Sequence, residues 1–245
     1  MTTCLISLGG NIGDVPQTFD QALRRLHEPT DVVVTCCSSL FRTNAIGVDA
    51  GTEFFNAAAV LETTRTPHEL LDRLLQTETE LGRVRTLRWE PRTLDLDLLF
   101  YGAEVIDDPP RLKVPHVACW YRKFALDPLV QIAPQFVHPV KGLPLFELHR
   151  RLLVRPFPVC VLGQARNEDP AIRTLQDSIP DLVLKVCRQP EDMPEADEGL
   201  IVRLDSGPLP MWAAPFKQRV GWLDAGDMPG DRRQRLIDIL RSAGL

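Results

Sequence analysis

Between residues 93 and 98 the sequence alternates strictly between polar and apolar side chains, reading T-L-D-L-D-L. A period of two is typical of a half-buried strand, because successive side chains point to opposite faces of the sheet. The pattern predicts a strand whose leucines enter the core and whose Asp95 and Asp97 lie side by side on the other face. Two neighbouring carboxylates repel each other unless a cation lies between them. Mg²⁺ is the usual cation, since one or two carboxylates hold it together with the phosphates of a substrate.

Four arginines come just before this segment, at Arg83, Arg85, Arg88 and Arg92. A guanidinium group is planar and always charged, and its N–H donors match the oxygens of a phosphate. Isolated arginines are more often solvated surface groups, but these adjoin two carboxylates. The combination predicts a phosphoryl-transfer site, with the arginines on the phosphates and the carboxylates on their metal.

Composition excludes several classes of protein. The 245 residues are 44% hydrophobic, enough for a sizeable core in one or two domains. The net charge of −5 argues against a nucleic-acid partner. No apolar run approaches the roughly 18 residues of a membrane span, and the N-terminus does not read as a secretion signal. We therefore expect a cytoplasmic protein that binds neither nucleic acid nor membrane.

The six cysteines show no C-x-x-C spacing, although two of them are adjacent. Most lie in apolar runs typical of strands. They are therefore interpreted as reduced and buried, without a disulfide or a metal. They are Cys4, Cys36, Cys37, Cys119, Cys160 and Cys187.

The order of predicted elements indicates an α+β fold. Strands are predicted at 3–8, 31–41, 57–64 and from Asp95, and helices after Asp14, at 67–81 and at about 121–132. Gly9-Gly10 is interpreted as a plain turn after the first strand, because no phosphate-binding glycine motif is present. This order predicts an antiparallel sheet of four to five strands with helices packed on it.

The sequence changes character near residues 150–157, and the remaining part predicts a further small α/β domain. We divide the chain into domains at 1–155 and 156–245. The second domain carries no nucleotide loop, metal cluster or nucleophile motif. It is expected to bind a partner protein, to mediate self-association or to regulate the first domain.

Short blocks along the first domain resemble the 6-hydroxymethyl-7,8-dihydropterin pyrophosphokinase family. The blocks are S-L-G-G-N-I-G-D at 7–14, F-R-T at 41–43, F-F-N-A-A at 54–58, R-W-E-P-R-T-L-D-L-D at 88–97, V-P-H at 114–116, R-K-F at 122–124 and P-L-x-x-I-A-P at 128–134. The resemblance ends near residue 155. It implies a ferredoxin-like sandwich and a folate-pathway transferase. That enzyme moves pyrophosphate from ATP to the pterin hydroxymethyl group, giving AMP and the pterin diphosphate.

The resemblance also implies roles for individual residues. Asp95 and Asp97 would bind two Mg²⁺ ions, although an isolated D-x-D is more often a solvated face. Arg83 and Arg92 would act on the phosphates, with Arg92 favoured over Arg85 and Arg88. His116, which without context would be a structural hydrogen-bonding group, would contact the ATP phosphates. The further ATP-binding residues would be Glu78, Arg85, Arg88, Arg111 and Arg122.

A flat pterin needs aromatic faces above and below it and an amide that reads its edge. Aromatic residues in apolar strands are by default part of the core, but the resemblance assigns several of them to the pterin. The implied pterin-binding residues are Thr43, Ile46, Phe54, Asn56, Trp89 and Phe124.

The chain departs from the family pattern in its arginine loop. Glu90 stands where glycine is usual, which stiffens the loop and places a negative charge near the triphosphate. Thr86 replaces a frequent lysine, and the loop is one residue short of a common form. Phe54 replaces a frequent tyrosine, and Asn44 a frequent proline. The alternative is therefore a non-catalytic regulator that binds ATP or pterin on the same scaffold.

Overall fold

The computed structural model describes residues 1–28, 30–44, 53–83, 92–162, 170–194, 199–204, 208–225 and 231–245. Contacts divide the chain into two units, Met1–His149 and Arg150–Leu245. No helix in these described ranges is long and apolar enough to cross a membrane.

A sheet of five strands is the framework of the first unit. Its strands are β1 (Thr2–Gly10), β2 (Val32–Cys37), β3 (Phe41–Asn44), β4 (Glu53–Thr63) and β5 (Asp95–Tyr101). They pair in the order β2-β4-β1-β5, with β3 also on β4, and every pairing is antiparallel. A two-stranded sheet is formed by β6 (Ile106–Asp108) and β7 (Leu112–Val114).

Among the described residues up to Leu152, the helices are α1 (Val15–Leu26), α2 (Pro67–Glu80), α3 (Lys123–Ile132) and α4 (Leu145–Leu152). Buried side chains of α1 and α2 form one core with the inward residues of β1, β4 and β5. Helix α3 packs against β3 and β4. The mixed helix and strand content and the predicted antiparallel pairing are confirmed.

The predicted helix starts are confirmed by their capping contacts. The Asp14 carboxylate accepts a hydrogen bond from the Gln17 amide at the start of α1. Thr66 and Glu69 form a reciprocal capping box before α2. Gly82 has a φ of +83° just beyond α2, a conformation that glycine adopts without a steric cost.

Two strand predictions are wrong in detail. The segment predicted as one strand at 31–41 contains β2 and the start of the separate strand β3, and β2 carries a register shift between Val34 and Cys36. The predicted turn at Gly9-Gly10 is instead the end of β1, where both glycines pair with β4. A short glycine pair reads as a turn in isolation, but here long-range pairing extends the strand.

The second unit contains a four-stranded parallel sheet in the order β11-β10-β8-β9. Its strands are β8 (Phe157–Leu162), β9 (Leu182–Cys187), β10 (Leu200–Arg203) and β11 (Trp222–Asp224). Its helices are α5 (Pro170–Ser178), α6 (Arg232–Ser242) and the 3₁₀ helices Pro190–Asp192 and Met211–Gln218.

The prediction that all cysteines are reduced is wrong, because Cys160 and Cys187 form a disulfide. They lie on the paired strands β8 and β9, which bring together residues 27 positions apart. The prediction of burial holds for Cys4 and Cys119, whereas Cys36 and Cys37 are exposed. Burial raises the pKa of the Cys4 thiol to about 12, so it remains protonated.

Candidate active site

The strand β5 presents its carboxylates as its alternation predicts. Leu94, Leu96 and Leu98 are at most 4% exposed, whereas Asp95 and Asp97 are only partly buried. The two acids line a cleft of about 230 Å³ between α2 and β7. Its other lining residues are Leu71, Leu75, Glu78, Leu96, Leu98, Arg111, Leu112, Lys113 and His116.

The Asp95 carboxylate is bonded by two arginines. Arg83 donates to its Oδ1 and Arg92 donates to its Oδ2. Arg83 also donates to Glu78, so one guanidinium joins two acids. Burial lowers the pKa of Arg83, but the negative charges of Asp95 and Glu78 outweigh burial and leave that pKa raised. Four of the predicted site residues, Glu78, Arg83, Arg92 and Asp95, therefore form one ionic chain.

Arg92 is anchored through its backbone to the end of β1. The Asn11 side-chain oxygen accepts from the Arg92 amide at 2.8 Å, and the Asn11 amide donates to the Arg92 carbonyl at 2.9 Å. The Arg92 guanidinium carbon lies 5.6 Å from the centroid of the Phe54 ring, within the range of a cation–π contact. Arg92 thus lies between the acids of β5 and an aromatic residue assigned to the pterin.

Glu78 lines the cleft, but its carboxylate is used within the protein. The side chain is 2% exposed, and its Oε1 accepts from the Leu96 amide at 2.7 Å as well as from Arg83. Helix α2 therefore holds the start of β5 through a charged acceptor. Its predicted contact with ATP remains a prediction.

Asp97 and His116 lie close enough for each charge to shift the pKa of the other, and Arg122 acts on both. Burial raises the pKa of Asp97, and the neighbouring Asp95 adds to this shift, whereas His116 and Arg122 oppose it. Burial lowers the pKa of His116, and Asp97 opposes that shift. The Ala118 amide donates to Nδ1 of His116 at 3.4 Å. This contact assigns the proton of the neutral ring to Nε2.

The polar atoms around β5 fit a metal and phosphate oxygens. The Nε atoms of Arg92 and Arg122 are buried without a hydrogen-bond partner in the described part of the chain. Such donors are costly unless an acceptor arrives. No group of three or more acid, histidine or cysteine side chains that could hold a metal occurs among the described residues. The pair Asp95 and Asp97 matches Mg²⁺, which completes its shell with water and substrate phosphates.

Arg111 lies at the mouth of the cleft and forms an ion pair. Its Nη2 is 2.7 Å from a carboxylate oxygen of Asp72 on α2, and both side chains are more than half exposed. An exposed ion pair of this kind contributes little to stability, so Arg111 can exchange Asp72 for a phosphate at small cost.

The residues assigned to the pterin lie partly together. The Asn56 amide nitrogen donates to the Thr43 hydroxyl at 2.9 Å, and that hydroxyl donates to the Phe54 carbonyl at 3.5 Å. Asn56 is buried, and Phe54 is half-buried. Phe124 lies in the first turn of α3, and the Arg122 guanidinium carbon lies 5.5 Å from the centroid of its ring. The hydrogen bond from Asn56 to Thr43 orients the amide predicted to read the pterin edge.

Four predicted site residues lie outside the described residues: Ile46, Arg85, Arg88 and Trp89. The substitutions Thr86 and Glu90 also lie there. The sequence assigned no site role to Asn11 or to the two glycines of β1, which were interpreted as a plain turn. Their only signal is the block S-L-G-G-N-I-G-D, whose role depends on pairing with β4 and β5.

An acid pair with adjacent buried guanidinium donors is typical of proteins that bind a metal-bound polyphosphate. A profile of the family described as 7,8-dihydro-6-hydroxymethylpterin-pyrophosphokinase (HPPK) matches residues 5–134. The chain belongs to this family, and the resemblance found in its sequence is confirmed.

Individual relatives agree with the family assignment. The chain is 40% identical over 144 residues to 2-amino-4-hydroxy-6-hydroxymethyldihydropteridine pyrophosphokinase of Synechocystis, covering 59% of this chain and 73% of that protein. It is 42% identical over 130 residues to the Bacillus subtilis protein of the same name, covering 53% and 77%.

A solved structure, Plasmodium falciparum HPPK-DHPS, covers 84% of this chain. It matches with a TM-score of 0.46 and 10% identity over 64% of its own length. A likeness at that level carries no argument about fold or function.

Proposed function

We propose that this chain transfers pyrophosphate from ATP to 6-hydroxymethyl-7,8-dihydropterin, giving AMP and the pterin diphosphate in folate biosynthesis. Family membership over residues 5–134 supports the reaction. The observation that carries it to the site is the arrangement along β5, where Asp95 and Asp97 adjoin Arg83 and Arg92. The buried Nε of Arg92 has no hydrogen-bond partner among the residues that the structure describes. The catalytic residues are Arg83, Arg92, Asp95, Asp97 and His116.

The reaction breaks one bond of ATP and forms one bond to the pterin. The hydroxymethyl oxygen attacks the β-phosphorus, and the bond from that phosphorus to the oxygen bridging to the α-phosphate breaks. That oxygen leaves with AMP, and the hydroxyl proton is released. Two Mg²⁺ ions, held by Asp95 and Asp97, would neutralise the triphosphate and make the attacking hydroxyl more acidic.

The protein's own residues supply positioning and charge. Arg83 and Arg92 exchange Asp95 for phosphate oxygens, and the Arg92 Nε adds a donor that is already stripped of water. His116, neutral because burial lowers its pKa, donates from Nε2 to a phosphate oxygen. Arg122 places a further positive charge beside Asp97. Each role stabilises charge, since phosphoryl transfer asks for little covalent chemistry from the protein.

The pterin binds beside this chain of charges. Phe54 and Phe124 supply the aromatic faces, and Asn56, oriented by Thr43, reads the ring edge. Ile46 and Trp89 complete the proposed pterin site, and Arg85, Arg88, Arg111 and Glu78 the proposed ATP site.

The first unit is best classed as a ferredoxin-like sandwich. Strand β3 pairs with the same edge of β4 as β2 does, and it is left out of this comparison. The other strands lie in the order β2-β4-β1-β5 in the sheet, and along the chain helix α1 follows β1 and helix α2 follows β4. This β-α-β-β-α-β order on an antiparallel sheet supports that class. Residues 1–155 form the catalytic domain, and residues 156–245 form a small α/β domain for a protein partner or self-association. The reaction takes place in the cytoplasm, where ATP is abundant.

The nucleotide product tests the proposal. Purified protein incubated with Mg²⁺, ATP and 6-hydroxymethyl-7,8-dihydropterin should release AMP, and omission of pterin or Mg²⁺ should abolish it. An ordinary kinase would yield ADP instead. Tight binding of ATP and pterin without AMP formation would support a non-catalytic regulator and contradict the enzyme.

A further inference from the structure

Gly9 occupies the position in the sheet where the two halves of the site meet. Its register partner on β4 is Asn56, and its register partner on β5 is Asp95. One strand residue therefore separates the amide assigned to the pterin from the acid assigned to the metal. A side chain at Gly9 would point to the same face as both, because directly opposed residues of paired strands share a face.

The Phe54 ring fills the volume that a Gly9 side chain would need. A Cβ atom built on Gly9 would lie 2.8 Å from Cε1 of Phe54, 3.4 Å from its Cζ and 3.6 Å from the Cβ of Asp95. The shortest of these distances is below any normal carbon contact. The ring thus lies directly on the Gly9 backbone, with the Arg92 guanidinium 5.6 Å from its centroid.

The backbone at Gly9 does not itself require glycine. The positive-φ glycines of the described residues do not include Gly9, which lies in the regular strand β1. Glycine weakens a strand interior, and it often marks a place where another group approaches closely. Room for the aromatic ring is therefore the reason for glycine at this position.

We propose that Gly9 is a positioning residue for the pterin: by lacking a side chain it lets the Phe54 ring lie directly against β1, close to Asn56 and Arg92. This inference rests on the proposed function, because it takes Phe54 as one face of the pterin site. Gly9 makes no contact with the reacting atoms and acts through Phe54.

Gly10 provides the matched comparison. A Cβ at Gly10 would lie 2.7 Å from the Thr93 carbonyl oxygen and 3.3 Å from a methyl carbon of Val15. Its neighbours are thus backbone and core, and Phe54 is not among the three nearest. A methyl group added at Gly9 or at Gly10 changes the same strand, but only the methyl group at Gly9 would contact the Phe54 ring.

The test is a double-mutant cycle on the full-length protein. Gly9→Ala and Gly10→Ala are each made alone and in a Phe54→Ala background, and pterin affinity is measured by titration calorimetry with the non-hydrolysable analogue AMPCPP and Mg²⁺ present. Gly9→Ala should weaken pterin binding by about tenfold or more in the wild-type background, and by less than about twofold where Phe54 is absent. Affinity for the nucleotide alone should stay the same, and in turnover the pterin KM should rise more than kcat falls. The effect of Gly10→Ala should be the same in both backgrounds.

Each outcome decides the matter. Equal loss from Gly9→Ala in both backgrounds, or unchanged pterin affinity, would overturn the inference and leave the proposed function intact. Absence of pterin binding by the wild type would overturn the proposed function and the inference together. If Gly9→Ala does not fold, folding of Gly9→Ala/Phe54→Ala supports the inference, and failure of both contradicts it.

Discussion

Arg92 donates a hydrogen bond to Oδ2 of Asp95, while Arg83 donates to Oδ1 of the same carboxylate. The acid assigned to the metal is thus neutralised by two cations assigned to phosphate. A divalent ion that approaches Asp95 alone meets both positive charges. A triphosphate offers the arginines new acceptors, so nucleotide and metal should bind together more readily than the metal alone.

Removal of one arginine should show that the arginines and a metal ion compete for Asp95. We expect Arg92→Ala to tighten the binding of Mn²⁺ without nucleotide by about threefold to tenfold, since one competing positive charge is gone. The same variant should bind ATP with Mg²⁺ more weakly. Electron paramagnetic resonance of free Mn²⁺ measures the first effect. Arg24→Ala, which removes an exposed ion pair with Asp20 on α1, is the control. Unchanged Mn²⁺ affinity in Arg92→Ala would contradict the competition.

Asp97 should be dispensable for folding and indispensable for turnover. Burial raises its pKa, which means that the folded protein holds the charged form at a cost. Asp97→Asn removes that cost and should leave the melting temperature equal or slightly higher. AMP formation should fall by orders of magnitude, because the proposed metal ligand is lost. Near-normal AMP release from this variant would rule out the assigned role.

Two substitutions at Glu78 should separate the contribution of its charge to stability from the contribution of its hydrogen-bond acceptor. Glu78→Ala leaves the Leu96 amide without this acceptor and removes one of the two acid partners of Arg83, and it should cost about 3 kcal/mol of unfolding free energy. Glu78→Gln keeps an acceptor for the amide and should cost less. Urea denaturation compares the two. An equal cost for both variants would show that the ion pair with Arg83, and not the amide contact, is the important interaction.

Local patterns in the sequence were sufficient to predict helices and strands, but not to predict the contacts between residues of different elements. The alternation at 93–98 predicted β5, and the capping box at Thr66 predicted the start of α2, because both depend on residues close in the chain. The hydrogen bonds of Asp95 with Arg83 and Arg92 join residues up to 12 positions apart, and no periodic pattern predicts them. The function of Gly9 requires the register of β1 against two other strands. Such long-range pairing has no local signal.

The disulfide shows the same limit. Cys160 and Cys187 have no recognisable spacing, and they meet only because β8 and β9 pair in parallel. The missing C-x-x-C spacing and the apolar runs around the cysteines favoured reduced thiols. These local features contain no information about which strands pair. The family blocks supply the site residues as predictions, whereas the contacts of those residues with one another could not be predicted from the blocks.

The second unit should be unnecessary for catalysis. The proposed site residues all lie within Met1–His149, a unit with its own sheet and core. A fragment of residues 1–155 should therefore keep kcat for AMP formation within about twofold of the full chain. A fragment ending at His149 cuts α4 before the buried Leu152 and should be less stable. Loss of activity from a folded 1–155 fragment would assign the second unit a part in the reaction.

His138 should make stability fall in mild acid. The side chain is 3% exposed, and its Nδ1 accepts from the amides of Val140 and Lys141 at 3.2 and 3.3 Å. Burial, together with the charge of Lys141, lowers its pKa from 6.5 to about 4. Between these values the unfolded chain binds a proton that the folded chain does not. The free energy of unfolding therefore rises with pH across this window and is lost as pH falls through it.

The size and origin of this effect can be measured with one substitution. His138→Asn keeps a side-chain oxygen that can accept from the two amides, but it does not titrate. The difference in unfolding free energy between wild type and His138→Asn should change by up to about 3 kcal/mol between about pH 7 and about pH 4. Other titrating groups cancel in that difference because both proteins contain them. Parallel curves for the two proteins would mean that His138 takes up its proton without disturbing the turn at 138–142, so that its burial has no influence on stability in acid.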